Sequence, residues 1–208
     1  MQYEGAWRKP MRADAARNIE KIISAALECF REDGPQVSLK VVADRAGVGP
    51  ATLFRNFADK DELVLAAIER QIRVKVEPVT ETALRNPDAA AGLIEVLSAV
   101  MQVANDEHHL LSAVAGRRQI LVGLAGKLIE SMGVLLTRGQ DQGTLREELR
   151  LLDMVRLVAM LIGVGDTVAP GSMAWLRYVA LVEDAIRTHR EQRPLPPLEA
   201  IPEVDLPL

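Results

Sequence analysis

SLKVVADRAGVGPATLFRNF, residues Ser38–Phe57, is the stretch on which the fold turns. It reads as two short helices joined by a tight turn. The first covers about Leu39 to Ala46, and the Ser38 hydroxyl can accept a bond from an orphan backbone N–H at its start. Val37 and Val42 stand at the spacing of a hydrophobic staple. Ala46-Gly47 closes the helix, because Gly47 can take the left-handed conformation that stops it. The second helix opens at Gly49-Pro50, proline being favoured at the first helical position. Val48 and Leu53 repeat the staple. Leu39, Val42, Ala43, Ala46, Val48, Leu53 and Phe57 can point inward, which leaves Lys40, Gly49, Pro50, Thr52, Arg55 and Asn56 largely outward. Such a pair is a helix-turn-helix, the unit that sets its second helix in the DNA major groove.

Upstream, Asp14–Asp33 is a helix with Ile19, Ile22, Ile23, Ala26, Leu27 and Phe30 at i, i+3, i+4, i+7 spacing, stopped by Gly34-Pro35. Cys29 lies within it as a packed thiol rather than a nucleophile. Residues 1–14 form a loosely ordered basic arm with Arg8, Lys9 and Arg12 beside Trp7, either solvated or touching phosphates or the minor groove. Downstream, Asp59 and Glu62 form a capping box for the next helix. Lys60 sits in that helix's first turn, where a cation opposes the dipole by about 0.3–1 kcal/mol. Asp61 and Glu62 can offset that cost; the preferred reading, because the helix starts directly after the second helix of the motif, is that Lys60 and the helix N-terminus together hold a phosphate.

The 208 residues suit one large domain or two small ones, and 49% are hydrophobic while only 3% are aromatic. A core of Leu, Val, Ile, Ala and Met favours helices. No apolar run is long enough to span a membrane, the first residues lack a secretory pattern, and the lone Cys29 excludes an internal disulfide framework. A reducing cytoplasm is the expected location. The net charge of −4 divides unevenly: residues 1–75 carry 13 Lys/Arg against 11 Asp/Glu, and the acidic excess lies beyond them. That asymmetry weakly favours a DNA-touching end followed by an acidic body.

The helix from Asp59 is expected to run to Lys75 or Val76 and to break at Pro78. Asn86-Pro87-Asp88 restarts the chain with Asn86 as cap, and Leu93, Leu97, Val100, Met101 and Ala104 give an apolar stripe to about Asn105. A short apolar segment covers His108–Ala115, and Arg117-Arg118 opens a helix that ends near Gly139. Met154 to about Thr167, started by Asp153, is apolar on nearly every side and so is expected to be buried. Trp175–His189 is the last helix, with Leu176, Val179, Val182, Ala185 and Ile186 on one side; residues 191–208 are a Pro-rich tail. His108 and His109, about 100° apart on a helix, cannot readily share one metal. No metal, nucleotide or acid–base spacing stands out, so no cofactor, no metal and no enzyme activity are expected.

Ile19, Ala26, Phe30, Gly34, Ser38, Val42-Ala43, Ala46-Gly47-Val48, Thr52-Leu53-Phe54-Arg55-Asn56-Phe57, Lys60 and Leu63 together resemble the N-terminal domain of TetR-type transcriptional regulators. The resemblance covers about residues 15–75. It implies phosphate and groove contacts at Ser38 and Lys40 and base edges at Gly49, Pro50, Ala51 and Thr52. It further implies a backbone clamp at Phe54, Asn56 and Lys60, with Arg55 a further reader beside Lys40 and Thr52. The family more often has Tyr where Phe54 stands and a serine-like cap where Gly49 stands.

The resulting expectation is an all-α chain: an arm at 1–14, a three-helix DNA-binding domain at 15–75 with its motif at 38–57, an effector-binding and dimerisation domain at 76–190, and the tail. The partners are double-stranded operator DNA, a second copy through the last two helices (about 153–168 and 172–189), and a small-molecule effector. Leu97, Met101, Leu121, Met132, Met160 and Trp175 are the candidate effector pocket. A ligand-responsive repressor on a palindromic operator fits best. The alternatives are an architectural DNA-binding protein without a ligand, and a helical small-molecule-binding protein or enzyme.

Overall fold

Helical periodicity extends across the chain, and the fold is all-α. The computed structural model describes residues 8–114, 123–165, 167 and 172–188, with 8–14 and 165 as backbone only. The basic side chains of the arm, the start of the helix expected at Arg117 and the Pro-rich tail lie outside the described residues. The chain divides into two compact units, Met1–Arg70 with His109–Gly116, and Gln71–His108 with Arg117–Leu208.

In the first unit, α1 (Arg8–Asp33) begins at Arg8 rather than Asp14. Pro10 is no obstacle, because the first helical turn has no intrahelical use for its missing N–H. Ile22, Ile23, Ala26, Leu27, Cys29 and Phe30 are buried, while Ile19 lies at the margin. Burial pushes the Cys29 thiol up from its ordinary value, which keeps it protonated and inert. Gly34, at φ 77°, ends the helix. α2 (Leu39–Ala46) is capped by Ser38, whose side chain accepts from the Val41 N–H at 3.4 Å, and is closed by Gly47 at φ 67°. α3 (Pro50–Asn56) starts with proline after Gly49. α4 (Lys60–Gln71) carries the capping box. Asp59 Oδ1 accepts from the Glu62 N–H at 2.8 Å, and Glu62 Oε2 accepts from the Ala58 N–H at 2.6 Å, one residue further out than the usual pairing.

In the second unit, a π-helical segment Ile72–Val76 leads into α5 (Glu77–Ala83). Pro78 therefore does not break the helix. Its missing N–H and bulky ring fall just after a widened turn in which the Glu77 N–H reaches back to the Ile72 carbonyl, the kind of local adjustment that lets a helix pass a proline. α6 (Ala89–Asp106) is capped by Asp88, not Asn86: Asp88 Oδ1 accepts from the Ala91 N–H, while Asn86 Oδ1 accepts from the Asp88 N–H, each at 3.0 Å. A short helix, α7 (His108–Ala113), follows in sequence, and from His109 onward it belongs to the first unit. Then come α8 (Gly126–Asp141), α9 (Leu151–Gly165) and α10 (Trp175–Ile186).

α6 is the central element of this unit. Its Leu93, Val96 and Leu97 share a core with Met132, Leu135 and Leu136 of α8, Met154 of α9 and Ile186 of α10. A second cluster joins Met101, Leu161, Trp175 and Val179. α9 begins at Leu151, where Asp153 reaches back to the Arg150 N–H from the third helical position instead of capping. The burial expected all round α9 is not seen in the single chain: Met154 and Leu161 are buried, but Met160 is 67% exposed. α10 turns Trp175, Val179 and Ile186 inward and leaves Leu176 and Ala185 outward, correcting the stripe expected from sequence.

Candidate nucleic-acid interface

The buried side of the motif fixes what its other side presents. Val42 and Ala43 of α2, with Leu53 and Phe57 of the α3 region, are buried, and Leu39, Ala46 and Val48 are half-buried. Gly49, Pro50, Ala51, Phe54 and Arg55 are exposed along α3, as are Ser38 and Lys40 at the head of α2. Thr52, Asn56 and Lys60 are half-buried. Lys40 and Arg55 have no partner among the described residues, so both cations are available to an anionic surface. Gly49, at φ −68° and ψ 148°, provides no side-chain cap. Phe54 leaves an apolar ring 55% exposed, an unfavourable state that contact with a partner would relieve.

Besides Ser38, which caps α2, two members of the candidate set are engaged inside the protein. Asn56 Nδ2 donates to the Thr52 carbonyl at 2.7 Å, closing the last turn of α3. The Lys60 ammonium donates to the Pro35 carbonyl at 2.6 Å and lies 5.3 Å from the centre of the Phe30 ring. Burial holds its pKa below the usual lysine value, and the neighbouring Asp61 opposes that shift. The free phosphate-facing ammonium expected from the sequence is thus a tethered one here.

The candidate effector residues do not form one group. Leu97 and Met132 pack in the larger core, Met101 and Trp175 in the smaller, Met160 is largely exposed, and Leu121 lies outside the described residues. Because α9 is apolar all round in sequence, its pattern does not reveal that Met160 lies on the outer side of the single chain. A cleft of about 240 Å³ in the second unit includes none of the described ones; Ile72, Val76, Thr80, Leu84, Leu128 and Lys127 are among its walls. Close to Ile72 in sequence, Gln71 Nε2 donates to the buried Glu107 carboxylate at 2.7 Å and Lys75 Nζ to Asp106 at 2.8 Å. No local sequence signal marks these pairs, whose members stand 36 and 31 residues apart. Among the described residues no three His, Cys, Asp or Glu gather as a metal site, and no helix is long and apolar enough to cross a membrane.

An exposed helix headed by Gly-Pro, held at a short turn against a capped partner helix, defines a helix-turn-helix DNA-binding module. Residues 22–67 match the family model for "Bacterial regulatory proteins, tetR family". The match runs from within α1 to within α4. It is 35% identical over 65 residues to an HTH-type transcriptional regulator of Staphylococcus aureus (strain USA300), a match covering 31% of this chain and 35% of that relative. The chain thus spans about a third of the length of the curated relatives it matches. Among solved structures, it resembles a TetR transcription regulatory protein from Mycobacterium vanbaalenii at TM-score 0.60 and 27% identity, over 86% of this chain and all of that one. A TetR transcriptional regulator from Streptomyces coelicolor is similar at TM-score 0.54 and 25% identity, over 81% of this chain and 98% of that one.

Proposed function

We propose that this protein is a ligand-responsive repressor that binds a near-palindromic operator as a homodimer. The observation that carries this reading is the outward face of α2 and α3, where Lys40 and Arg55 are unpartnered among the described residues, beside exposed Gly49, Pro50, Ala51 and Phe54. Ser38 and Lys40 meet phosphate at the head of α2. Pro50, Ala51, Thr52 and Arg55 face base edges, and Phe54 lies against the DNA backbone or a thymine methyl. Few hydrogen-bonding side chains are available for direct readout, so DNA shape supplies part of the specificity.

Two copies associate through α9 and α10. Met160, Leu176, Tyr178 and Leu181 leave apolar surface on these helices in the single chain, and a symmetric four-helix contact would bury it. The dimer then sets two half-sites about 34 Å apart or at a multiple of that spacing. The cleft beside the π-helical segment supports a small-molecule effector, and an effector shifts the equilibrium only by binding the DNA-incompetent form more tightly.

Selection of duplexes from a random pool by the full chain tests this. A near-palindromic sequence with two half-sites should be enriched, and sedimentation should give twice the mass of one chain. Leu181→Glu should return the chain to a monomer and remove tight binding. A monomer that enriches no sequence would overturn the reading.

A further inference from the structure

The helix-turn-helix occupies the chain between Pro35 and Lys60, and those two residues touch each other. Lys60 Nζ donates to the Pro35 carbonyl oxygen at 2.6 Å across 25 residues of sequence. Pro35 directly follows Gly34, the left-handed residue that ends α1, and its carbonyl receives no backbone N–H among the described residues. Phe30, in the last turn of α1 and 1% exposed, backs the ammonium with its ring face. One cation thus joins the end of α1, the approach to α2 and the first turn of α4. Its placement is unfavourable on two counts: it stands where the helix dipole repels it, and burial penalises its charge. The carbonyl dipole and the aromatic face offset both. The Pro35 carbonyl takes one of the ammonium's three donors and the ring lies against it, so a phosphate would compete with both contacts for its position.

We infer that Lys60 is a positioning residue: clasped by the Pro35 carbonyl and the Phe30 ring, it fixes the two ends of the helix-turn-helix against each other, and thereby the pose of α3, without itself carrying a phosphate contact. The inference rests on the DNA-binding reading proposed above.

The test compares full-length wild type, Lys60→Met and Lys60→Arg on two duplexes: one enriched from a random pool by the wild-type chain, and a scrambled version of it. Methionine keeps an unbranched stem over Phe30 and removes the charge. Arginine keeps the charge, and phosphate accepts it readily, but its planar fork does not fit a single carbonyl beneath a ring. A positioning role predicts that both variants bind the enriched duplex about tenfold more weakly, the scale of one charged hydrogen bond. Binding to the scrambled duplex, and the slope of log affinity against log salt, should not change. A phosphate contact instead predicts that Lys60→Met loses affinity equally on both duplexes with a slope shallower by about 0.9 per contact, and that Lys60→Arg restores binding. That pattern, or unchanged binding in both variants, would overturn the inference.

Amide hydrogen exchange in the absence of DNA separates this inference from the functional reading, which fails if the wild type enriches no duplex. The clasp predicts faster exchange at residues 36–38 and at the start of α3 in Lys60→Met, or in Lys60→Arg should the methionine variant not fold. Unchanged exchange would sink the inference whatever the DNA result.

Discussion

Arg138 Nη2 donates to the Asn86 carbonyl at 2.7 Å. The same guanidinium donates through Nη1 to the Leu84 carbonyl at 2.7 Å and through Nη2 to that of Ala83 at 3.4 Å. These carbonyls lie at and beyond the C-terminus of α5, where a helix leaves acceptors without intrahelical donors and where positive charge is favoured. A residue of α8 therefore caps α5. Arg138→Leu should keep most of the packing and strand the Leu84 and Asn86 carbonyls, while that of Ala83 keeps the Asn86 N–H at 3.0 Å, lowering stability by about 2–3 kcal/mol. Arg138→Lys, a point donor, should recover only part. Urea unfolding of the three proteins measures this, and a leucine variant as stable as wild type would remove Arg138 from the role.

Close approach sets a second expectation. A Cβ built on Gly92 would stand 2.8 Å from the Ala83 carbonyl oxygen and 3.3 Å from its carbon, both backbone atoms that cannot rotate away. Alanine is the better helix former, by roughly 0.5–1 kcal/mol. Here the contact between α5 and α6 should dominate, and Gly92→Ala should destabilise by about 1–3 kcal/mol, as overpacking usually does. A thermal melt showing a more stable variant would mean that α5 shifts freely against α6.

Trp175 concerns a donor rather than a volume. Its indole is 2% exposed among Met101, Leu161 and Val179, and its Nε1 has no hydrogen-bond partner among the described residues. An unsatisfied buried donor costs about 1–3 kcal/mol, which offsets much of what the ring gains by burial. Trp175→Phe should then stay within about 1 kcal/mol of wild type, whereas Trp175→Ala should lose about 3–5 kcal/mol. A large loss in the phenylalanine variant would show that the N–H is satisfied in solution, by water or by a partner.

Local chemistry decided what the sequence made legible. Ser38 and Gly47 specify their helix ends through bonds that span three or four residues, and Pro50 does so through its fixed φ and missing N–H, so the bounds of α2 and α3 could be read before any contact was known. Pro78 could not be read, because the π turn that accommodates it is a property of the preceding residues taken together. Asn86 and Asp88 are both good caps two residues apart, and only the turn geometry assigns Asp88 to Ala91. Met160 shows the limit of composition: a helix apolar on all sides does not reveal which side a single chain covers. In the candidate interface the outward positions of Lys40, Pro50 and Arg55 followed from periodicity. The tether on Lys60 did not, since its partner stands 25 residues earlier.

Gly47 and Gly49 stand two residues apart at the turn and should respond oppositely to a side chain. Gly47 lies at φ 67°, its N–H bonded to the Asp44 carbonyl at 3.2 Å, in the left-handed region where a Cβ is strained regardless of space. Gly47→Ala should lower stability by about 1–2 kcal/mol. Gly49 lies at φ −68° and ψ 148°, ordinary extended backbone, with nothing within 4 Å of an added Cβ. Pro50 offers no N–H, so the first donor available to a cap at this end of α3 is that of Ala51. A serine at position 49 can accept it and also restricts the unfolded chain. Gly49→Ser should therefore raise stability by a few tenths of a kcal/mol. The comparison is made from urea midpoints at an unchanged slope. If both variants lost stability equally, the turn would depend on glycine for a reason other than the sign of φ.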